Sequence, residues 1–276
     1  MNRPITTLHN WHNTLYQQLA IDFCCKPENV ADRRNHFTVH QFLDGRRTYH
    51  EKDGCYLKVA VINGKVLFSG RRDILAWCEE QYHDTGGEWF FEAKNMHRLN
   101  ERFSQDGYRI AFAHPFFIPE NDDEINGGDY EIRWYDANTI EQFRGDSRYK
   151  NAYGFCEKAP DVIGVAAIRN GTILGMAGAS CDSPAMWQIG IDVDPAARHR
   201  GIGKMLVSIL KNEILRRGIL PFYGTGMSHF ASQNTALGAG FRPEWAELVT
   251  SKVSEQDAFT VKDETLLNES LMIGKL

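Results

Sequence analysis

The chain has 276 residues, 42% of them hydrophobic, 24% charged and 12% aromatic. That is the balance of a globular protein with room for about two domains of roughly 100–200 residues, or one large one, and it excludes disordered and fibrous classes. Lys and Arg total 31 against 36 Asp and Glu, a net charge of -5, so no basic excess draws the chain to phosphate backbones or anionic lipid, and neither nucleic acid nor membrane is expected as a partner.

Met1–Thr7 is not followed by the apolar block of a secretory signal, and no run reaches the ~18 uninterrupted apolar residues of a membrane span, so a cytoplasmic location is expected. The six cysteines are scattered, and the one close pair, Cys24 and Cys25, is adjacent rather than at a chelating gap. Free thiols and no metal site are expected.

Leu8, Trp11, Leu15 and Leu19 recur at helical spacing and predict an amphipathic helix over about residues 6–20. Tyr56–Ile62 and Lys65–Phe68 flank Asn63-Gly64, a hairpin in which both turn residues tolerate positive φ. A second helix follows through Ile74, Leu75, Cys78 and Tyr82, ended by Gly86-Gly87, and a third through Met96, Leu99 and Phe103, ended by Gly107. His114–Gly128 carries two prolines, the acidic cluster Asp122-Asp123-Glu124 and a double glycine, and is read as a connection with a domain boundary at 126/127.

Beyond it Tyr130–Tyr135 alternates like a strand, and Asp136 caps a short helix. Val162–Ile168 and Ile173–Ala179 flank Asn170-Gly171, a second hairpin of the same kind, and Met186–Val193 is a further strand. The basic pairs Arg33-Arg34, Arg46-Arg47 and Arg71-Arg72 read as solvated faces, with contact to an acidic substrate or a cofactor phosphate as the alternative. Leu266, Leu267, Leu271 and Met272 form a last apolar cluster in the tail, residues 251–276.

After Asp194-Pro195 comes a glycine-containing loop, and then Ile202, Met205, Leu206, Ile209, Leu210 and Ile214 mark a helix that runs to about Arg217 with Gly218 as its stop. The unpaired N–H groups of its first turn point into the loop, and Arg198, Arg200 and Lys204 add positive charge. Together they form an anion site, most simply for a pyrophosphate. A nucleotide-triphosphate loop fails here, because Gly203-Lys204 is followed by Met205 and the earlier glycine position holds Arg198; a dinucleotide fingerprint fails because its third glycine falls at Leu206.

What remains is Arg-x-x-Gly-x-Gly on Arg198, Gly201 and Gly203. This resembles motif A of the GNAT superfamily of acyl-CoA-dependent N-acyltransferases. The spacing of Ser232, Ala236 and Gly240-Phe241 is similar to that family's motif B, and the likeness covers residues 130–250. Met186–Ile191, Pro221–Thr225 and Ala231–Asn234 also resemble members with an extra N-terminal domain, the zwittermicin-resistance type among them. The fold implied is α+β: an N-terminal α+β domain over 1–126, then a GNAT domain over 127–250 built on a mixed, mostly antiparallel sheet with splayed central strands and flanking helices.

The resemblance implies that Ile191 and Val193 hold the pantetheine arm of acetyl-CoA through their backbone. It assigns the pyrophosphate to the loop of Arg198, His199, Arg200, Gly201, Ile202, Gly203 and Lys204. The reaction implied is attack of an amine on the thioester carbonyl, with the charged oxygen held by a backbone N–H. Two positions depart from the family: Trp187 stands where many members carry a glutamate, and Ala236 replaces the motif B tyrosine. His229, whose imidazole suits proton transfer near neutral pH, is the candidate base, and Tyr223 the candidate acid. Trp187 and Gln188 are candidates to line the acceptor site.

The expected activity is acetyl transfer from acetyl-CoA to a primary amine in a ternary complex, by a monomer or homodimer. The missing glutamate and tyrosine leave open an acyl-CoA-binding regulatory module without catalysis.

Overall fold

A computed structural model describes residues 6–47, 55–123 and 125–253. The tail cluster Leu266–Met272 lies outside the described residues. The chain opens with α1 (Thr6–Asp22) and α2 (Pro27–Ala31), followed by β1 (His36–Val39). β2 (Leu57–Ile62) and β3 (Lys65–Gly70) form the first hairpin. Asn63 at φ 54° and Gly64 at φ 74° put both turn residues in the left-handed region, whose twist matches that of the strands. α3 (Arg72–Tyr82) and α4 (Ala93–Gln105) follow, then β4 (Tyr108–Pro119).

β5 (Glu131–Asp136) leads into α5 (Ala137–Ile140), where the Asp136 carboxylate accepts the Thr139 N–H at 2.9 Å. β6 (Asp161–Arg169) and β7 (Thr172–Cys181) make the second hairpin, with Asn170 and Gly171 at φ 52° and 75°. β8 (Met186–Val193), α6 (Ile202–Arg216), β9 (Leu220–Gly224), α7 (Phe230–Gly238) and β10 (Phe241–Lys252) complete the described chain.

The ten described strands lie in one sheet, in the order β1-β3-β2-β10-β4-β9-β8-β7-β6-β5. Among them β1–β3 and β8–β9 run parallel and the other pairs antiparallel. α6 covers β6–β8, where Ile202, Leu206 and Leu210 meet Val165, Ala177 and Ile189. The opposite face receives α1, whose Leu15 and Leu19 pack with Phe116, Met186, Phe222 and Trp245. α3 and α4 close the β2–β3 end through Leu75, Cys78, Leu99 and Phe103. Each fully buried side chain of this kind contributes about 1.5–3 kcal/mol relative to exposure.

One expectation is corrected here. His114–Pro119, read from the sequence as part of a connection, belongs to a twelve-residue strand paired with β10 from Tyr108 to Pro119. The prolines are tolerated because of where they point. The Pro115 carbonyl accepts the Thr225 N–H from the β9 side, so its missing donor also faces β9, along which only Phe116–Gly224 and Phe117–Tyr223 pair. The proposed boundary at 126/127 therefore divides the sequence but not the sheet, since β4 lies between β9 and β10.

The connection after β4 is strapped to the back of α6. Lys211 is fully buried, and its Nζ donates to the Asn121 and Ala239 carbonyls at 2.8 and 2.9 Å. Ser208 and Asn212 donate to the carbonyls of Asp123 and Asp122. Burial pushes the Lys211 ammonium down to about 8. Arg47 also departs from the solvated-face reading of the basic pairs: it is buried between the carboxylates of Asp22 (2.6 Å) and Glu247 (2.5 Å). The six cysteines are free thiols.

Candidate active site

The parallel strands β8 and β9 pair from Met186–Leu220 to Ile189–Tyr223. β8 runs on to Val193 and stays paired with β7 throughout. Among the described residues its pairing with β9 ends at Ile189. The backbone groups that Gly190–Val193 turn toward β9 thus face a wedge that opens toward the loop after β8, and polar backbone groups left without a strand partner are groups a ligand can use.

That loop gathers backbone amides. Asp194 accepts the Ala196 N–H at 2.8 Å and fixes a short turn at Pro195–Ala197. His199 at φ 62° and Gly201 at φ 77° are then both left-handed, a backbone pattern that turns successive N–H groups into one concavity. In α6 the Met205 N–H bonds the Gly201 carbonyl at 3.1 Å. The amides of Ile202, Gly203 and Lys204 precede it and have no acceptor within the helix. The side chains of Arg198, His199, Arg200 and Lys204 are exposed around this concavity, and Arg198, Arg200 and Lys204 form no ion pair among the described residues.

The two glycines differ. Gly201 needs its left-handed φ, whereas Gly203 has no such backbone demand, and a Cβ there would sit at ordinary contact distance, 3.5 Å, from Thr235 and Val193. The wedge suits an extended chain, and the loop an anionic group carried on it. Ile191 and Val193 flank the wedge, partly buried against the α6 core.

Tyr223 and His229 each have a hydroxyl partner near the start of α7. The Tyr223 ring is buried, its hydroxyl lies 2.9 Å from Ser232 Oγ, and burial pushes its pKa up to about 12. His229 is the exposed N-cap residue of α7, with Nδ1 3.5 Å from Thr225 Oγ1. Trp187 and Gln188 are not brought together. Strand alternation turns Trp187 to the α6 core, while Gln188, 5% exposed, shares the opposite face with Gly190 and Asp192.

On that opposite face the structure adds residues the sequence reading missed. Gly164, Gly178 and Gly190 stand side by side across β6, β7 and β8. A Cβ at Gly190 would overlap the Asn151 carbonyl oxygen, and one at Gly178 would fall 2.5 Å from the Tyr153 ring. Residues 151–153 therefore lie directly on the bare sheet. Asp192 latches them there, accepting from Asn151 N (2.8 Å), Asn151 Nδ2 (2.6 Å) and Ala152 N (2.9 Å). Burial still raises the Asp192 pKa above the usual carboxylate value, outweighing these bonds. The spaced glycines at 164, 178 and 190 were the available signal, because a strand glycine marks close backbone approach.

Among the described residues no group of three or more His, Cys, Asp or Glu side chains could hold a metal, and no helix is long and apolar enough to cross a membrane.

Residues 123–241 match the profile of the Acetyltransferase (GNAT) family. No curated protein matches the chain. Among solved structures, a GCN5-related N-acetyltransferase-like protein from Streptococcus suis is similar at 16% identity, with 76% of this chain and 88% of that one covered and a TM-score of 0.43. A GNAT-family acetyltransferase from Novosphingobium aromaticivorans is 16% identical over 54% of this chain and 69% of that one, with a TM-score of 0.39. An aminoglycoside N-acetyltransferase solved with CoA is 21% identical over 42% of this chain and 89% of its own, with a TM-score of 0.33. All three relationships are remote.

Proposed function

We propose that this acyltransferase, whose residues 123–241 form a GNAT-family domain, transfers acetyl from acetyl-CoA to a primary amine of a small-molecule acceptor within a ternary complex. The observation that carries the reading is the parting of β8 from β9 after Ile189 and Tyr223, beside a loop whose left-handed His199 and Gly201 gather backbone amides. Bound acetyl-CoA supplies the acyl group as an activated thioester. Ile191 and Val193 would hold its pantetheine arm along the wedge. The amides from His199 to Lys204 would hold the pyrophosphate, with Arg198, Arg200 and Lys204 adding charge.

The remaining roles follow from what each group can do. Backbone N–H groups at the start of the wedge stabilise a carbonyl oxygen as it gains charge. His229 serves the removal of the amine proton. Tyr223 serves the leaving sulfur as its acid, with its hydroxyl beside Ser232 Oγ. Gln188, on the face opposite α6, lines the acceptor side together with the segment that Asp192 latches, while Trp187 stays with the α6 core. The free cysteines accord with a reducing, cytoplasmic setting.

The test is free-thiol release from acetyl-CoA across polyamines, amino acids, aminoglycosides and peptide N-termini, with calorimetric CoA binding on the same sample. Release with one amine class is expected. CoA binding without release across the panel would overturn the amine acceptor, and no CoA binding would overturn the assignment of the wedge.

A further inference from the structure

One titratable ring at the wedge has no role in the account above. His114 stands on β4 directly opposite Glu247 of β10, on the sheet face where Phe116 and Trp245 stack at 5.0 Å. That face is opposite α6, the side proposed for the acceptor. Phe112 stacks on the His114 ring at 4.8 Å and fixes it in place. Nδ1 is buried with no hydrogen-bond partner, and burial holds the ring below the usual imidazole pKa, so it is neutral at pH 7. Nε2 is directed across β9: the position a Cβ would occupy at Gly226 lies 3.8 Å from His114 Nε2 and 3.9 Å from His229 Cβ. β9 and its extension carry glycine at both 224 and 226, so they put no side chain on this face between His114 and the wedge.

Resting on the acetyl-transfer reading, we propose that His114 takes the proton of the acceptor ammonium at Nε2 and that His229, across Gly226, passes it to solvent. A primary alkyl ammonium titrates near ~10 and is charged at neutral pH, so the amine must lose a proton before it can attack. The N–H bond of the ammonium breaks, its electron pair stays on the amine nitrogen, and the proton forms an N–H bond at Nε2. From there it moves through water beside Gly226 to the His229 imidazole and on to bulk solvent, which leaves both rings neutral.

For Nε2 to accept a proton the neutral ring must carry its own at Nδ1, which has no partner in either state, and burial then disfavours the charged ring and makes it short-lived. His114 is thus a relay and not a store. The titratable groups on neighbouring elements are Glu247 from β10, whose carboxylate is held by Arg47 and Trp245, and His229 from the start of α7; Gly224, Thr225 and Gly226, at the end of β9 and just beyond it, carry no titratable side chain.

The test compares the full-length wild type, His114→Gln and Gly226→Ala, using acetyl-CoA and the panel amine that gives the fastest thiol release. Gly226 lies outside the left-handed region, so its alanine variant adds a methyl 3.8 Å from His114 Nε2 and 3.9 Å from His229 Cβ without backbone strain and changes no titratable group. Both variants are expected to bind CoA within about twofold of wild type and to lose roughly a hundredfold in kcat near pH 7, the size of a general-base contribution. The deficit is expected to shrink toward pH 10, where the amine needs no base.

Wild-type kcat in both variants, or a deficit of constant size from pH 6 to 10, would overturn the relay. Should His114→Gln fail to fold, Gly226→Ala alone decides by the same criteria. A wild type that binds CoA yet releases no thiol with any amine overturns the acetyl-transfer reading, and the relay with it, a result separable from failure of the variants alone.

Discussion

Replacing Gly203 separates what the fold requires from what a ligand requires. Gly203 sits in the first turn of α6 with no left-handed φ, and a Cβ would meet Thr235 and Val193 at 3.5 Å, an ordinary contact. Alanine is favoured over glycine in a helix by up to about 1 kcal/mol, so Gly203→Ala is expected to raise the unfolding free energy by roughly 0.5–1 kcal/mol. The same methyl stands between Val193 at the end of β8 and Thr235 of α7, beside the loop amides. There it would hold a pyrophosphate off the loop amides at a cost of about two charge-assisted hydrogen bonds, on the order of 3 kcal/mol or a hundredfold in Kd. Urea unfolding gives the first quantity and calorimetry with CoA the second; Gly203→Trp should abolish binding outright. Gly201→Ala is the contrast, since at φ 77° any L-residue is strained and stability should fall by about 1–2 kcal/mol. A Gly203→Ala protein that is more stable yet binds CoA as before would refute the loop assignment. One that is less stable would show that the fold itself keeps the glycine.

Gly190→Ala should lower the unfolding free energy by about 3 kcal/mol, because its methyl overlaps the Asn151 carbonyl and lifts residues 151–153 from the Asp192 carboxylate; a loss below about 1 kcal/mol in urea unfolding would show that this segment is not seated on the sheet. Lys211 titrates near 8 in the fold against 10.5 in the free side chain, so between those values the unfolded chain binds more protons and stability rises with pH, by up to about 3 kcal/mol. Unfolding at pH 7.5 and 10 measures this, and Lys211→Met should flatten the difference; an equal rise in the variant would assign it elsewhere. His229→Ala should lower kcat near pH 7 more than it lowers CoA affinity, and equal changes in both would remove His229 from the proton path. A fragment of residues 127–253 lacks β4 and should fail to unfold cooperatively by circular dichroism, whereas residues 108–253 restore the strand between β9 and β10; a cooperative transition in the shorter fragment would show that β4 is dispensable.

What the sequence made legible is what local chemistry encodes. Asn63-Gly64 and Asn170-Gly171 announce their hairpins because the two left-handed positions admit few other residues. The loop after β8 was readable because its glycines, its cationic residues and the onset of a helical period all fall within ten positions. The partners of Asp192 were not readable, since the latch joins residues some forty positions apart and depends on glycines whose role appears only when three strands align in register. β4 shows how two local signals compete. Tyr108, Ile110, Phe112, His114, Phe116 and Ile118 keep a period of two in the sequence, a strand signal, although a bulge after Ile110 sends the two ends of the series into different cores. Pro115 and Pro119 argue against it only if every backbone donor of the strand is needed. Beside β9, where only two residue pairs form, they are not. The same short pairing that tolerates the prolines leaves β9 free to part from β8, so the feature that concealed a strand in the sequence accompanies the wedge on which the proposed chemistry depends.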